Sequence, residues 1–181
     1  MAEPQVEFNQ RKFEELIVYI ARRLPPEAAL GRVKLAKLLM LADFTAYMRS
    51  GFSITGATYE KWEHGHLPSE LIMAEKDLHG HAIDIEAVDY YGKKLKHITA
   101  RRDPNMADFS DDELAVIEGV LRFYGHESAS YLKKLSHDEL GWKLARDHEI
   151  IPYFTIFLSK TGPTDADVRR GEELASLHGW E

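Results

Sequence analysis

Residues 33–59 read VKLAKLLMLADFTAYMRSGFSITGATY, and this stretch decides the fold. Its first half has helical spacing, yet large apolar side chains point in every direction around the helix axis. These side chains are Leu35, Leu38, Leu39, Met40, Leu41, Phe44, Tyr47 and Met48. A helix that is apolar on all sides belongs in a protein interior, so we predict a buried central helix from about Gly31 to Arg49. Gly51 follows and is expected to end it.

Asp43 is the polar exception on this helix, and its neighbours three and four residues away are all uncharged. Burying an unpaired carboxylate costs several kcal/mol, so a partner from elsewhere in the chain is needed. One interpretation is a catalytic acid or base with a raised pKa. The other is a structural acceptor for the backbone N–H groups of the turn Ser53–Gly56. We favour the structural interpretation, because buried polar groups usually have an ordinary partner.

Lys34 and Lys37 lie near the start of the same helix, where their charge is unfavourable beside the positive end of the helix dipole. This position favours a specific role for them, such as a salt bridge to another segment. They could also bind a phosphate group, but the chain has no glycine-rich phosphate loop that would support a nucleotide site.

The segments on both sides of this helix predict further helices and a small β element. In the N-terminal half, the predicted elements are a helix from Asn9 through Arg22 stopped by Pro25–Pro26, an extended stretch from Phe52 to Glu63, a short helix from Pro68 or Ser69 to Leu78, and a hairpin that pairs Ile83–Val88 with Lys93–Thr99 around Gly92. In the C-terminal half, they are a helix from the capping box Ser110–Glu113 through Tyr124, a helix from Ser128 to Leu135, a helix from about Asp138 to Asp147, an apolar stretch from Ile150 to Leu158 that suits strand or helix, and a weakly amphipathic helix from Asp165 to Leu177. The expected fold class is α+β, mainly helical, with a central buried helix and a small antiparallel β element.

Length, charge and composition limit the possible functions. The chain has 181 residues, and we expect residues 1–181 to form one domain with residues 160–181 as a peripheral C-terminal helix. The formal net charge of −7 disfavours nucleic acid as a partner. There is no cysteine, no signal-peptide pattern and no apolar run of the ~18 residues that a membrane span needs. We therefore expect a cytoplasmic protein without disulfides, thiolate metal sites or membrane contacts.

Two closely spaced histidine pairs, His64/His66 and His79/His81, raise the question of a metal site. If the segment between the pairs is helical, its ends lie about 15 Å apart. Zinc–nitrogen bonds of about 2.0–2.1 Å cannot span that distance with one ion. Glycine stands inside each pair, which is more typical of turns than of a ligand-bearing strand. We expect no metal, no cofactor and no catalytic residue.

Two other functions stay open from the residues alone. One is a hydrolase, metal- or carboxylate-dependent, that uses Asp43 with nearby histidines. The other is a nucleic-acid-binding regulator that uses Ser128–Arg146, where two short helices have helix–turn–helix spacing. Its basic residues are Lys133, Lys134, Lys143 and Arg146. Acidic residues among them disfavour DNA binding, and His137 and Trp142 are better interpreted as packing and capping residues.

The order and spacing of the central residues resemble the SocA-like antitoxin family, also called the Panacea domain. The family pattern is a K-L-x-K-L-L-hydrophobic-x-A-D helix, a glycine, I-T-G-A-x-Y, and a closing G-P-hydrophobic-P turn. The matching residues are Lys34, Leu35, Lys37, Leu38, Leu39, Ala42 and Asp43, then Gly51, Ile54, Thr55, Gly56, Ala57 and Tyr59, then Gly65, Leu67 and Pro68, and in a C-terminal L-S-H-x-E-x-x-W-K pattern Leu135, Ser136, His137, Glu139, Trp142 and Lys143. The resemblance covers about Phe8 to Tyr153. His66 departs from it, because the family usually has proline there; we expect a loop at this position that is less rigid than usual, since proline fixes φ and histidine does not.

The resemblance implies a binding protein rather than an enzyme. Members of the family are antitoxins that neutralise a partner toxin by direct contact, and some act as adaptors that deliver the toxin to a protease. The same domain accompanies many toxin classes, so the identity of the toxin stays open. The matched positions are implied to specify the fold, among them Lys34, Lys37, Asp43, Thr55, Gly56, Gly65, Pro68, His137 and Trp142.

Protein interfaces favour aromatic anchors, which gives five candidate partner-binding residues. They are Tyr59, Trp62 and His66 around the HGH segment, and Tyr90 and Tyr91 at the predicted hairpin tip. Each aromatic ring could instead be partly buried in its own core. The expected partner is a toxin protein, and the sequence makes no prediction about self-association.

Overall fold

A computed structural model describes residues 7–158 together with Arg169 and Ser176. The helices are α1 (Gln10–Arg23), α2 (Arg32–Ser50), α3 (Leu71–Leu78), α4 (Asp111–Tyr124), α5 (Ala129–Asp138) and α6 (Leu140–Leu144), with 3-10 helices at Pro26–Ala28 and Tyr153–Phe157. The strands are β1 (Tyr59–Trp62), β2 (Gly65–Pro68), β3 (Ile83–Tyr90) and β4 (Lys93–Ala100). This mainly helical α+β architecture confirms the predicted class. The helix predicted within residues 160–181 lies outside the described residues, apart from the two positions named.

Helix α2 is the buried centre of the described residues, as its all-round apolar sequence predicts. The helices α1, α4 and α5, strand β2 and the 3-10 helix Tyr153–Phe157 all pack against it. Leu35, Leu38 and Leu39 have no exposed surface. Burying each such side chain contributes about 1.5–3 kcal/mol, so α2 organises much of the core. Gly51 ends the helix with φ +80°, and its N–H donates to the Tyr47 carbonyl at 2.8 Å.

The starts of α1 and α4 are capped by the predicted residues. The Asn9 side chain accepts a hydrogen bond from the Lys12 N–H at 3.0 Å. Ser110 and Glu113 form the predicted capping box, in which each side chain accepts the other's backbone N–H at 3.2 and 2.9 Å. These bonds satisfy N–H groups that have no partner inside a helix, which explains why the helices begin there.

The strands form two separate antiparallel hairpins, β1–β2 and β3–β4. The second hairpin matches the prediction, with Tyr90 paired to Lys93 across the turn. Beside β1, on the edge away from β2, lies the segment 148–151. The Lys61 N–H donates to the Glu149 carbonyl at 2.9 Å, and the Ile151 N–H donates to the Tyr59 carbonyl at 2.8 Å.

Two predicted segments differ from the structure, and hydrogen bonds explain both differences. The stretch from Phe52 to Glu63 forms a strand only from Tyr59, because the N–H groups of Ile54 and Thr55 donate to Asp43. The helix predicted from Asp138 to Asp147 is only Leu140–Leu144.

This early end follows from a turn just after α6. The Glu149 carboxylate accepts the Arg146 N–H at 2.6 Å, and His148 has φ +64°. The chain thereby reverses toward β1 instead of continuing as a helix. None of the helices in residues 7–158 has the length and apolarity that crossing a bilayer requires.

Candidate functional site

Asp43 lies fully buried where α2 faces the turn Ser53–Gly56. Its Oδ1 accepts the N–H groups of Ile54 and Thr55 at 2.9 and 2.8 Å. Its Oδ2 accepts the hydroxyls of Thr55 at 2.6 Å and Tyr59 at 2.8 Å. The predicted contact between Asp43 and this turn is therefore present. The bond from Tyr59 was not predicted from the sequence, where its ring was a candidate for partner binding.

The surroundings of Asp43 set its protonation state. Burial raises the pKa of Asp43 to about 6, against the lowering effect of its four hydrogen-bond donors. Burial raises the pKa of Tyr59 well above its ordinary value, with the charge of Asp43 adding to the effect. Near pH 8 the pair is thus a carboxylate and a neutral phenol donor. A carboxylate without exposed surface cannot contact a substrate in this conformation, which argues against the hydrolase alternative.

Gly56 lets the turn reach Asp43 while the N-terminal segment crosses it. Its φ is +71°, and a Cβ at this position would lie 2.3 Å from the Glu7 carbonyl oxygen. The Asn9 N–H donates to the Thr55 carbonyl at 2.8 Å, which fixes that crossing. Only glycine meets both the conformational and the steric requirement at this position.

Lys34 and Lys37 are buried in α2, and each ammonium group donates to a backbone carbonyl. Lys34 donates to Ala28 at 2.7 Å, and Lys37 donates to His66. The suggested salt bridges are thus replaced by bonds to neutral acceptors. Burial lowers the pKa of Lys37 to about 7, and the charge of Lys133 lowers it further.

Gly65 leaves room for the Lys37 side chain to pass. A Cβ on Gly65 would lie 2.1 Å from Ser136 Oγ and 2.8 Å from Lys37 Cε. The backbone of β2 therefore packs directly on α2 and α5. This close approach explains why glycine precedes His66.

His66 lies in β2 with 1% of its surface exposed, so the HGH segment is a turn followed by a strand rather than a flexible loop. Its ring packs edge-on against Phe44 at 5.5 Å. Burial lowers its pKa to about 3, with Lys37 and His137 adding to the effect. His137 stacks on Trp142 at 3.9 Å, and the indole N–H of Trp142 donates to the Trp62 carbonyl at 3.3 Å. The packing role expected for His137 and Trp142 is therefore present.

The two histidine pairs do not form a metal centre in the part of the chain described. Within residues 7–158 no three histidine, aspartate or glutamate side chains could hold an ion together. The Lys133 ammonium lies 3.2 Å from His64 Nδ1, which would repel a cation there. Gly80, inside the second pair, has φ +90° and forms the predicted turn.

The five candidate partner-binding residues divide into two groups. Tyr59 and His66 are each 1% exposed, so both side chains are buried in the core and have no surface left for a partner. Trp62 and Tyr90 are each 41% exposed, and Tyr91 is 91% exposed. The three exposed rings lie at the ends of the two hairpins, where a partner can reach them.

The helix–turn–helix alternative has little geometric support. Helix α6 has five residues, about one and a half turns. Helix α5 turns Leu132 and Ser136 into the core, and Lys143 pairs with Asp138 at 3.3 Å. Lys61 Nζ lies 4.3 Å from the centre of the Trp142 ring, so that cation is also engaged within the protein.

Two surface cavities lie away from Asp43. The larger, of about 880 Å³, separates the end of α1 from α4, with Arg23 and Arg122 in its lining. The smaller, of about 470 Å³, lies between the end of α2 and the start of α4, where Arg49 and Asp112 face it. Neither cavity is lined by a residue that the sequence predicts to be functional.

Comparison with known protein families identifies the family of this chain. Residues 35–143, more than half of the chain, match the family described as antitoxin SocA-like, Panacea domain. The chain therefore belongs to this antitoxin-like family, which confirms the resemblance seen in the sequence. The matched range contains most of α2, both hairpins and α3 to α5. The comparisons found no match among curated proteins and none among solved structures.

Proposed function

We propose that this protein is an antitoxin that neutralises a partner toxin in the cytoplasm by binding it directly. Membership of the SocA-like family over residues 35–143 carries the proposal. The enclosure of Asp43 supports a role through binding rather than catalysis, because the donors around this acid occupy both of its oxygens. The contact surface is expected to be outside this core, on the exposed hairpin ends.

The conformation of Tyr91 supports the β3–β4 tip as part of that surface. Tyr91 and Gly92 form a two-residue turn with φ values of +49° and +75°. Such turns favour Asn-Gly, because positive φ is unfavourable for most side chains, by about 1–2 kcal/mol per residue. A residue that is strained and exposes a large aromatic ring is a reasonable candidate for binding. Tyr90 lies edge-on to it at 4.8 Å.

Trp62 supports a second contact region at the end of β1. Its ring lies edge-on to His148 at 4.3 Å, and its indole N–H donates to Glu60 at 3.1 Å. Ile150 pairs with Glu60 from the segment beside β1 and exposes more than half of its surface. An ordered tryptophan beside an exposed aliphatic side chain is typical of an interface anchor.

Co-expression with the product of the adjacent gene tests the proposal. We expect that product to arrest growth alone and the protein to restore growth. Tyr91→Asn should fold at least as well as the parent, since asparagine suits the turn, but should neutralise less well. Phe123→Ala, at an exposed aromatic on α4, is the matched control and should neutralise normally. A product that is harmless alone, or still harmful beside the protein, contradicts the proposal.

The abundance of the toxin during neutralisation distinguishes two ways of acting. Neutralisation by sequestration leaves the toxin at full abundance in a complex with the antitoxin. An adaptor that delivers the toxin to a protease lowers its abundance, and deletion of the protease then restores both the toxin and the growth arrest. Immunoblotting of a tagged toxin separates these outcomes.

A further inference from the structure

One edge of the β3–β4 hairpin is open in the structure. Ile98 on β4 donates its N–H outward to the Leu30 carbonyl at 2.8 Å. Ile85 pairs with Ile98, so its backbone groups also point away from the hairpin. Backbone direction alternates along a strand, so Ala87 and Asp89 share this orientation. Within residues 7–158, β3 pairs with β4 and no other strand adds to this edge.

The open edge is bounded at both ends. At its base, the Ile83 carbonyl accepts the Gly80 N–H at 2.9 Å, which closes the edge there. At its far end lie the exposed rings of Tyr90 and Tyr91. The unpaired N–H and C=O groups between these limits form a template for one short strand.

The charged side chains along this edge determine which kind of partner strand is favoured there. Three carboxylates lie on β3, whereas the lysines of the hairpin lie on β4. The acidic residues are Asp84, Glu86 and Asp89, and the basic residues are Lys93, Lys94 and Lys96. Arg101 pairs with Asp84 at 3.1 Å and Lys94 lies opposite Asp89 across the hairpin, which leaves Glu86 as the stronger negative position. Opposite charges on neighbouring strands are favourable and like charges are unfavourable, so a basic strand is favoured.

The same charges argue against a second copy of this chain at the edge. Two β3 strands docked against each other would place carboxylates beside carboxylates, in a protein that already carries a net charge of −7. Docking β3 of one copy on β4 of the next would match charges. However, the Leu30 carbonyl already occupies part of the β4 edge, and such head-to-tail contacts produce open chains rather than a closed assembly.

We propose that the open edge of β3 receives an extended strand of the toxin that carries lysine or arginine at alternate positions. This proposal rests on the antitoxin function and names the surface that performs it. Backbone hydrogen bonds from Ile85, Ala87 and Asp89 supply affinity, and Glu86 selects basic side chains. Tyr90 and Tyr91 pack on the toxin where the added strand passes the hairpin tip.

Ala87→Pro tests the edge without removing a side chain that binds. Proline deletes the outward N–H of Ala87, which takes no part in pairing with β4, and proline is tolerated on edge strands. Ala87→Val keeps that N–H, and Lys96→Pro deletes the corresponding outward N–H on the opposite edge. With the adjacent gene product as the probe, we expect Ala87→Pro to raise the Kd at least tenfold and both controls to bind as the parent does.

Amide hydrogen exchange gives an independent measurement in the complex. Binding should slow exchange at Ile85, Ala87 and Asp89, since the intervening amides already donate to β4. If the parent binds the probe but these amides stay unprotected, or Ala87→Pro binds normally, the edge proposal fails and the antitoxin function stands. If the parent neither binds nor neutralises the probe, both fail. Concentration-dependent self-association that Ala87→Pro abolishes would assign the edge to a second copy and also overturn the proposal.

Discussion

Replacing Asp43 with alanine removes the acceptor for four buried donors. Two of these donors are the backbone N–H groups of Ile54 and Thr55, which cannot turn elsewhere. The Tyr59 ring, and with it the hydroxyl, is held inside the core by Phe44 and Tyr153, whose ring centres lie 5.4 and 5.9 Å from its own. The threonine hydroxyl is the exception, because it can rotate toward another acceptor.

The expected loss of stability follows from these groups. Three buried donors left without a partner cost about 1–3 kcal/mol each. Against this, the rise in the pKa of Asp43 from 3.8 to about 6 corresponds to about 3 kcal/mol of unfavourable ionisation near pH 8, which alanine relieves. With the small cavity that alanine leaves, we expect a net loss of about 4 kcal/mol, a large fraction of the usual stability of about 5–15 kcal/mol.

Urea unfolding followed by tryptophan fluorescence measures this loss. For a slope of about 2 kcal/mol per M, the midpoint should fall by about 2 M at pH 8. In Asp43→Asn the remaining oxygen can still accept the two N–H groups, but the amide NH2 is a donor that faces the two hydroxyl donors. We therefore expect about half of the stability loss of Asp43→Ala. Thr55→Val deletes a hydroxyl that donates to Asp43 and accepts the Ala57 N–H at 3.2 Å, so it should lose about 2 kcal/mol.

The pH dependence adds a second check on the same variant. The folded pKa of Asp43 lies above its ordinary value of 3.8, so the folded protein binds a proton more readily between pH 6 and 4. The contribution of Asp43 to stability therefore grows as the pH falls through this window, and the deficit of Asp43→Ala should be larger at pH 5 than at pH 8. An Asp43→Asn protein with parental stability but no neutralisation would refute a structural role for this acid.

The remaining predictions concern the stability of variants at Lys37, Gly65, Gly51 and Ser110, measured in the same urea assay. The folded pKa of Lys37, about 7, lies below its ordinary 10.5, so the unfolded chain holds the extra proton between these values and parental stability rises with pH. Lys37→Met should lower that slope by up to ~1.4 kcal/mol per pH unit between pH 7 and 10, and an unchanged slope would contradict the burial of a titrating ammonium. Gly65→Ala should cost about 3 kcal/mol, since its Cβ would lie 2.1 Å from Ser136 Oγ at φ +96°, whereas Gly51→Ala, at φ +80° in open space, should cost about 1 kcal/mol. Equal losses of stability in the two glycine variants would show that the close packing of β2 around Gly65 adds no cost for a Cβ. Ser110→Ala should cost about 1 kcal/mol through loss of the α4 cap, and no loss would mean that the cap is replaced by solvent.

Local signals in the sequence predicted most helices of residues 7–158 correctly, although α6 is shorter than predicted. The all-round apolar pattern of α2, its end at Gly51 and the capping box at Ser110 depend on residues close together in the chain. The hairpin of β3 and β4 follows from alternation on both sides of a glycine turn. Each of these features needs only short-range geometry, which is why one sequence was sufficient.

Contacts between segments far apart in the chain were harder to predict from the sequence. The segment 148–151 joins β1 across more than eighty residues, and nothing in its composition marks that pairing. His66 looked like a loop residue because it stands in a proline position, but β2 turns its ring against Phe44. The ammonium of Lys37 reaches the His66 carbonyl only because Gly65 has no side chain.

In the candidate site, too, contacts between nearby residues were predictable from the sequence and contacts between distant segments were not. The turn that binds Asp43 lies about ten residues downstream, so a structural role could be inferred from the chain itself. The bond from Tyr59 requires that β1 returns beside α2, which local patterns do not specify. The open edge of β3 was also beyond prediction, because an edge is open or covered according to which other elements pack beside it.

Isothermal titration of the purified protein with the product of the adjacent gene tests the central claim most directly. We expect a complex of defined stoichiometry that Tyr91→Asn weakens at least tenfold. Thr55→Val, a core variant that still folds, should leave this complex intact. Absence of both a heat signal and a complex in gel filtration would contradict this expectation. So would binding that survives Tyr91→Asn but is lost in Thr55→Val while that variant stays folded.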